Sequence, residues 1–241
     1  MKKVYVYVHV CVLNNYQEVL INILNHIYDS GLYDRLNKLR LSIVGNSVEF
    51  KNWFDTLTYD TTKIQLIFPT TRINTFEFHT LHNLFIDAIS EDFYCLYLHT
   101  KGVSKQTNPN IKDWVDYLLY FTVDKFQNCL LELENFDTVG VNLTGDSENM
   151  KSNPALWGYV VKGESVSRTP QHYSGNFWWS KSDNIRKLPD PLYYASYEQY
   201  ERYRVACECW ICLNPNLKPK CLFQSGVNHY GTRYPKEMYV K

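Results

Sequence analysis

The first hundred residues alternate between stretches with strand character and stretches with helical periodicity, and this alternation constrains the fold more than any other feature. Residues 3–12 form an apolar run rich in valine and tyrosine, which predicts a buried strand. Residues 16–28 carry apolar side chains three and four positions apart, as an amphipathic helix does. The alternation continues with predicted strands at 39–44, 63–68 and 93–98 and predicted helices at 47–57 and 75–90. It indicates an α/β fold with a mainly parallel central sheet flanked by helices.

The rest of the chain has a weaker pattern. We expect a helix over 111–131, a strand over 136–143, a long loop or insertion over 144–170, an aromatic strand over 173–180, a helix near 197–213 and a polar tail from residue 214. No repeat, low-complexity run or clean linker interrupts the sequence, and 241 residues fit one large domain. We therefore predict a single domain over residues 1–241.

The charge and hydropathy of the chain argue against a nucleic-acid-binding protein and against a membrane-spanning one. The 25 acidic and 25 basic side chains cancel, so there is no global positive field for a nucleic-acid backbone, and we expect no nucleic-acid partner. The longest apolar stretch, residues 4–13, is too short for a membrane span and lacks the cleavage site of a signal peptide. The sequence contains seven cysteines, an odd number with no obvious disulfide pattern, so we predict that they are free thiols. We expect no transmembrane segment and a cytoplasmic location.

The strand at 93–98 ends in a polar run. His99, Thr100, Lys101 and Gly102 bring a ring nitrogen, a hydroxyl, a positive charge and a flexible backbone to one point. Ligands of open α/β sheets bind beyond the carboxyl ends of the strands, so this segment is a candidate for binding an anion such as a phosphate. The alternative is an ordinary strand exit whose polar side chains meet only solvent.

Glu77 lies near the start of the helix predicted over 75–90, with Thr75 as a candidate N-cap. A carboxylate there can accept hydrogen bonds from a ribose or a base. The alternative, a helix-capping role, is the more common use of an acid at such a position.

The segment 172–179 reads His-Tyr-Ser-Gly-Asn-Phe-Trp-Trp and is the second dense cluster. Gly175 permits close backbone approach, Asn176 offers a donor and an acceptor, and a tryptophan can stack on a sugar ring. Because consecutive strand residues face opposite sides, Trp178 and Trp179 cannot both line one pocket, and we expect one of them in the core. The alternative is that the whole segment is an aromatic core strand.

The segment 207–212 reads Cys-Glu-Cys-Trp-Ile-Cys and, with Cys221 nearby, raises the question of zinc. The first spacing is C-x-C, and on a helix Cys207 and Cys209 diverge, so structural free thiols are the better interpretation. Glu208 is a carboxylate among apolar neighbours, a setting suited to a general base. The alternative is a solvent-facing glutamate, or one paired with Arg204 one turn earlier.

Taken in order, these segments resemble the motifs of a glycosyltransferase-like family found in bacterial polysaccharide clusters and large DNA viruses. The motifs are Glu77-Phe78, LYLHTKGVS at 96–104, Trp114 with Tyr117, SGNFWW at 174–179 and CECWI at 207–211. The resemblance covers about residues 5–213, and its two longest motifs are specific. It implies a GT-A-like nucleotide-sugar fold, with residues 1–100 as the nucleotide-binding half and 101–241 as the acceptor-side half and C-terminal tail.

The resemblance also implies a way to stabilise the leaving group. In metal-dependent relatives, the strand that corresponds to 93–98 ends in a D-x-D pair, which holds a divalent metal on the nucleotide diphosphate. Here no acid lies between Tyr97 and Lys101. We therefore expect Lys101, assisted by His99, to neutralise the diphosphate in place of a metal.

The remaining roles follow from the same resemblance. Glu208 would be the base that deprotonates an acceptor hydroxyl. Donor binding would fall to Glu77, Thr100 and Gly102. Binding of the acceptor or sugar would fall to Ser174, Gly175, Asn176, Trp178 and Trp179.

The resulting expectation is a hexosyl- or pentosyltransferase of polysaccharide biosynthesis. It would move a sugar from a nucleotide-sugar donor to a glycan or other hydroxyl acceptor, with inversion and without a required cofactor. If Mn²⁺ or Mg²⁺ is needed, the acids must come from elsewhere, such as Asp113 or Asp146. Two alternatives from other classes are a non-catalytic carbohydrate- or nucleotide-binding module of the same fold and a zinc-stapled interaction protein.

Overall fold

A computed structural model describes residues 2–105, 108–145, 170–192 and 204–240, and the structural statements below refer to these residues. The strands are β1 (Lys3–Cys11), β2 (Lys38–Val44), β3 (Ile64–Thr70), β4 (Phe93–His99), β5 (Thr138–Gly140), β6 (Leu143–Thr144), β7 (His172–Tyr173), β8 (Trp178–Lys181) and β9 (Pro219–Cys221). The helices are α1 (Tyr16–Asp29), α2 (Leu32–Arg35), α3 (Ser47–Phe54), α4 (Phe78–Ser90), α5 (Pro109–Leu119), α6 (Phe126–Glu132), α7 (Ser182–Ile185) and α8 (Arg204–Cys209).

Seven of these strands form one sheet in the order β3-β2-β1-β4-β8-β5-β9, while β6 and β7 pair separately. Neighbouring strands run parallel except at β8, which is antiparallel to both β4 and β5. The prediction of an α/β fold with a mainly parallel central sheet is confirmed.

The sheet has a switch point between β1 and β4. From β1 the chain adds β2 and then β3 on one side, whereas β4 returns to the other side of β1. The two strands are in parallel register, with His9 level with His99, so their carboxyl ends lie side by side. Open α/β sheets bind ligands at such a point.

Each face of the sheet is covered by its own apolar layer. Along β1, valines 4, 6 and 8 belong to a cluster that includes α1 and α5, while Tyr5 and Tyr7 belong to a second cluster that includes α4 and α8. This is the two-residue alternation of a strand buried on both sides. A fully buried side chain of this size contributes about 1.5–3 kcal/mol, so the two layers anchor the switch point firmly.

Some boundaries differ from the prediction for identifiable reasons. The helix expected from residue 75 begins at Phe78, because Phe76 has a positive φ of 46° that breaks it. Thr75 is therefore not its N-cap: it lies in a 3-10 turn, Ile73–Thr75, and its hydroxyl donates to the Arg72 carbonyl at 2.9 Å. Glu77 occupies the N-cap position without a side-chain capping bond.

The second half departs further from the prediction. The helix expected over 111–131 is α5 and α6 joined by a π-helical turn, Tyr120–Asp124. The strand expected over 173–180 is interrupted by a turn at 174–176. The predicted tail instead supplies β9 and then packs against α5. Most of the expected 144–170 loop and the start of the 197–213 helix lie outside the described residues. No described helix is both long and apolar enough to cross a membrane.

Candidate active site

A cavity of about 330 Å³ opens at the switch point, beyond the carboxyl ends of β1 and β4. Its walls come from both strand ends, the turn before α4, the loop after β4, α8 and the C-terminal segment. Five of the predicted site residues line this cavity: Glu77, His99, Thr100, Lys101 and Gly102. Glu208 lines it as well, so the structure brings together all the predicted catalytic and donor-binding residues.

Thr100 fastens the two strand ends to each other. Its backbone N–H donates to the His9 carbonyl at 2.9 Å, and its hydroxyl oxygen accepts from the Cys11 N–H at 3.0 Å. The side chain is buried. These bonds fix the floor of the cavity, because they hold β1 and β4 in register beyond their last ladder bonds.

His99 faces two different partners. Its Nε2 lies 3.1 Å from the Gly175 carbonyl, and since a carbonyl can only accept, Nε2 carries a proton. Its Nδ1 lies 3.7 Å from Oε1 of Glu77, which is itself buried. Protonation of Nδ1 would complete an ion pair with Glu77 across the cavity wall.

Lys101 is buried at the floor of the cavity, with only 8% of its surface exposed. Its ammonium lies 3.8 Å from the ring centre of Trp114 on α5, a close cation–π contact. Trp114 belongs to the motifs named above, but the sequence indicated no role for it. In the structure its ring holds the Lys101 side chain in place.

Gly102 allows the chain to turn sharply after Lys101. Its φ is +93°, and a Cβ at this position would lie 2.6 Å from Cγ2 of Ile111. Both the left-handed backbone and the close approach of α5 therefore require glycine.

Glu208 approaches the same space from α8 and is half-buried. The neighbouring Cys207 is affected by this carboxylate. Burial, followed by the nearby carboxylates of Glu77 and Glu208, raises the pKa of the Cys207 thiol well above its usual value. Glu77, at the N-cap position of α4, and Glu208, on α8, therefore both lie near Cys207, and both line the cavity. The alternative, a pairing of Glu208 with Arg204, involves a side chain outside the described residues.

The segment 174–176 supports the site from behind. The Ser174 N–H donates to the Asn142 carbonyl at 3.0 Å, and the Gly175 carbonyl receives the His99 bond. Asn176 is almost fully buried with a φ of +58°, and its Oδ1 accepts from the Trp178 indole N–H at 2.9 Å. None of these three residues lines the cavity, so their contribution here is to orient His99 and the start of β8.

The two tryptophans are core residues on opposite faces of the sheet. Trp178 stacks on Tyr97 with ring centres 4.9 Å apart, and the Trp179 indole N–H donates to the Thr122 carbonyl at 2.7 Å. Both side chains are 0% exposed. The prediction that they bind a sugar finds no support in these positions, because both faces of β8 are covered and neither ring reaches the cavity.

Among the cavity residues that were not predicted from the sequence, two bear on its charge. Tyr230 comes from the segment taken for a polar tail, and only its packing on α5 brings it to the cavity. Lys105 is exposed at the rim, with its ammonium 4.3 Å from the centre of the Tyr230 ring. Its position four residues after Lys101 was the one available signal.

Within the described ranges, no group of three or more His, Cys, Asp or Glu side chains is arranged to hold a metal ion. Asp113, a candidate metal ligand, is engaged by the Arg233 guanidinium at 2.9 Å and by the Tyr234 N–H at 3.1 Å, and these partners lower its pKa. Asp146 lies outside the described residues.

The cysteines give no support to the zinc-stapled alternative. The thiols of Cys207, Cys209 and Cys212 are free and buried, and the described residues contain no set of ligands for a zinc ion.

No protein-family model matches the chain, and no curated protein matches it. Among solved structures, a "putative nucleotide-diphospho-sugar transferase" from Desulfovibrio desulfuricans G20 is similar, with a TM-score of 0.42 and 12% sequence identity. The alignment covers 93% of this chain and 81% of that chain. This similarity is too slight to carry an argument about activity, which has to come from the site itself.

Proposed function

We propose that the protein is a glycosyltransferase that moves a sugar from a nucleotide-sugar donor to a hydroxyl of a glycan acceptor. The observation that carries the proposal is the cavity at the switch point, where a buried lysine and two glutamates from separate elements share one space. Glycosyl transfer requires a positive charge for the departing diphosphate and a base for the acceptor hydroxyl, and this cavity offers both.

Lys101 stabilises the leaving group in this proposal. As the bond between the anomeric carbon and the diphosphate breaks, negative charge accumulates on the diphosphate oxygens. The ammonium is held against the Trp114 ring before the reaction starts, so little reorganisation is needed when that charge appears. In the family that this chain resembles, the metal-dependent enzymes carry acids at the end of the corresponding strand, where this chain has Lys101. For that reason we propose a reaction without a divalent metal.

Glu208 is the proposed general base. It takes the proton from the acceptor hydroxyl while that oxygen bonds to the anomeric carbon, and the diphosphate leaves with the bonding electrons. This single displacement inverts the anomeric centre. Glu77 is placed to accept from donor hydroxyls and to hold His99, whose proton on Nδ1 would add positive charge beside the diphosphate.

The proposal is tested with purified protein and a panel of UDP- and GDP-sugars. Binding is read as a rise in melting temperature, because a ligand that binds only the folded state stabilises it, and turnover is read as nucleoside diphosphate release with and without EDTA. We expect Glu208→Gln to bind the donor but to lose turnover by about 10²–10⁴-fold. Glu49→Gln, an exposed acid on α3, is the matched control.

The outcomes separate the competing functions. Failure of every nucleotide sugar to stabilise the protein would overturn the proposal. Binding without turnover, equal in the wild type and Glu208→Gln, would favour the non-catalytic binding module. Turnover that stops in EDTA and returns with Mn²⁺ or Mg²⁺ would overturn the role of Lys101 as the replacement for a metal.

A further inference from the structure

We infer that Lys105 is a second phosphate-binding residue of the cavity and that Tyr230, from the C-terminal segment, positions it. The inference rests on the proposed function and specifies it further: the diphosphate would lie between two lysines, one buried and one at the rim.

The turn after β4 brings both lysines to one cavity. The Lys105 N–H donates to the Gly102 carbonyl at 2.7 Å, and this bond closes the turn that the left-handed Gly102 begins. Lys101 therefore precedes the reversal of the chain and Lys105 follows it. Both line the 330 Å³ cavity, where two adjacent positive charges suit a diphosphate better than a neutral sugar.

Each ammonium is held by an aromatic ring, and the two rings touch. Nζ of Lys101 lies 3.8 Å from the Trp114 ring centre, and Nζ of Lys105 lies 4.3 Å from the Tyr230 ring centre. Trp114 and Tyr230 meet edge to face with centres 5.0 Å apart. The Tyr230 ring restrains the Lys105 ammonium without neutralising it, whereas a carboxylate would cancel the charge that an anion needs.

Lys112 provides the contrast. It lies at the start of α5 on a neighbouring groove, which Lys101 and Lys105 also line, and its ammonium is paired with Asp116 at 3.3 Å. Among the described residues no carboxylate forms an ion pair with Lys105. The two exposed lysines thus differ in whether their charge is available to a ligand.

Tyr230 can act as a fixed support because its backbone is anchored on α5. The side-chain amide of Asn110 donates to the Tyr230 carbonyl at 3.1 Å, and the preceding His229 ring stacks on Trp114 with centres 5.2 Å apart. The Tyr230 ring itself is 44% exposed. A firmly held backbone with an exposed ring at a cavity mouth fits a positioning residue better than a core residue.

The test measures binding of inorganic pyrophosphate and of UDP by calorimetry, followed by transfer kinetics with whichever nucleotide sugar the wild type uses. We expect Lys105→Met to weaken both ligands about tenfold and Lys105→Arg to restore most of the loss. We expect Tyr230→Leu to weaken them about threefold and Tyr230→Phe to match the wild type, since the ring face and not the hydroxyl holds the lysine. Lys112→Met is the matched control and should bind like the wild type.

Melting temperatures of all variants check that each one folds. Equal pyrophosphate affinity in Lys105→Met and Lys112→Met would overturn the role of Lys105, and equal losses in Tyr230→Phe and Tyr230→Leu would overturn the role of the ring. Binding of pyrophosphate that depends on Lys105, together with no transfer from any donor, would support the anion site while overturning the proposed transferase activity.

Discussion

The strand end at 97–102 and the segment at 174–179 are the two densest clusters of polar and aromatic residues, and they serve different layers of the molecule. The first leaves the sheet at the carboxyl end of β4, and its residues 99–102 line the cavity. The second enters β8, which is paired on both sides by β4 and β5 and packed on both faces, so its large side chains are buried. Residue type alone therefore does not distinguish a functional site from a core. The position does: residues just beyond the carboxyl end of a strand can line a cavity, whereas residues within a paired strand are buried.

The two segments are nevertheless connected. The Gly175 carbonyl accepts from His99, and Trp178 stacks on Tyr97 directly below the cavity. The second segment therefore positions the first without contacting the ligand space. The predictions that follow test this division of labour, beginning with the largest effect.

The largest expected effect is on stability, in β8. Trp179→Ala should lower the free energy of unfolding by about 3–5 kcal/mol, because it empties a fully buried site and removes the bond to the Thr122 carbonyl. Trp178→Ala should cost a similar amount on the opposite face. Urea unfolding measures both, with the partly exposed Trp53→Ala as the milder comparison. A loss below about 1 kcal/mol for either β8 variant would mean that its ring is not a core element.

The second prediction has the reverse pattern and concerns the strand end. Lys101→Met keeps the length and apolar body of the side chain, so the melting temperature should change little. Turnover should fall by about 10²–10³-fold, the usual cost of removing one preorganised charge or donor from a transition state.

Lys125→Met is the control for Lys101→Met, since Lys125 is also held over a ring, that of Tyr120, but lies away from the cavity. We expect it to leave turnover unchanged. If Lys101→Met and Lys125→Met lost the same small fraction of activity, the strand end would be no more functional than any other exit from the sheet.

The two halves of the chain differed in how far the sequence predicted them. The parallel strands β1 to β4 were recognisable because each is seven to nine residues long and alternates with periodic helices. Strand β5 lies within the strand predicted over 136–143 but spans only three of those residues. Strand β9 is also three residues long and was not predicted, because it exists only through its pairing with β5, a tertiary effect that local pattern does not encode. The contribution of Tyr230 to the cavity was hidden for the same reason.

The third prediction concerns the two glycines that turn the chain beside the site. Gly102 and Gly175 have φ values of +93° and +102°, and added Cβ atoms would lie 2.6 Å from Ile111 Cγ2 and 2.7 Å from Leu118 Cδ1. Either alanine variant should destabilise the fold by about 1–3 kcal/mol through backbone strain and crowding. Only Gly102→Ala should also weaken pyrophosphate binding directly, because it displaces the loop that carries both lysines.

Calorimetry with pyrophosphate distinguishes the two glycine variants. Relieving the steric contact with Ile111→Ala should restore only part of the Gly102→Ala defect, since the φ strain remains. Equal affinity in Gly102→Ala and Gly175→Ala would contradict the division between a segment that binds and one that supports.

The smallest effect is a pH dependence of stability at His229, which lies behind the lysine site. The Asn142 side-chain amide donates to its Nε2 at 3.2 Å, and the Ser225 hydroxyl lies 2.8 Å from the same atom. The Asn142 orientation is fixed, because its Oδ1 accepts from the Tyr117 hydroxyl and the Ser225 N–H. Nε2 is therefore an acceptor. Burial, and then the charge of Lys101, lower the pKa of His229 to about 4 from 6.5.

A histidine with a lowered pKa destabilises the fold on acidification, since the unfolded chain binds the proton first. The contribution of His229 to stability should fall as the pH drops from about 6.5 to about 4 and level off below. His229→Gln, which keeps an acceptor, should show a shallower slope than the wild type in urea unfolding across this window. Lys101→Met should also reduce the slope, by less, because its charge is the second cause. An unchanged slope in Lys101→Met would mean that the Lys101 ammonium does not contribute to the lowered pKa of His229.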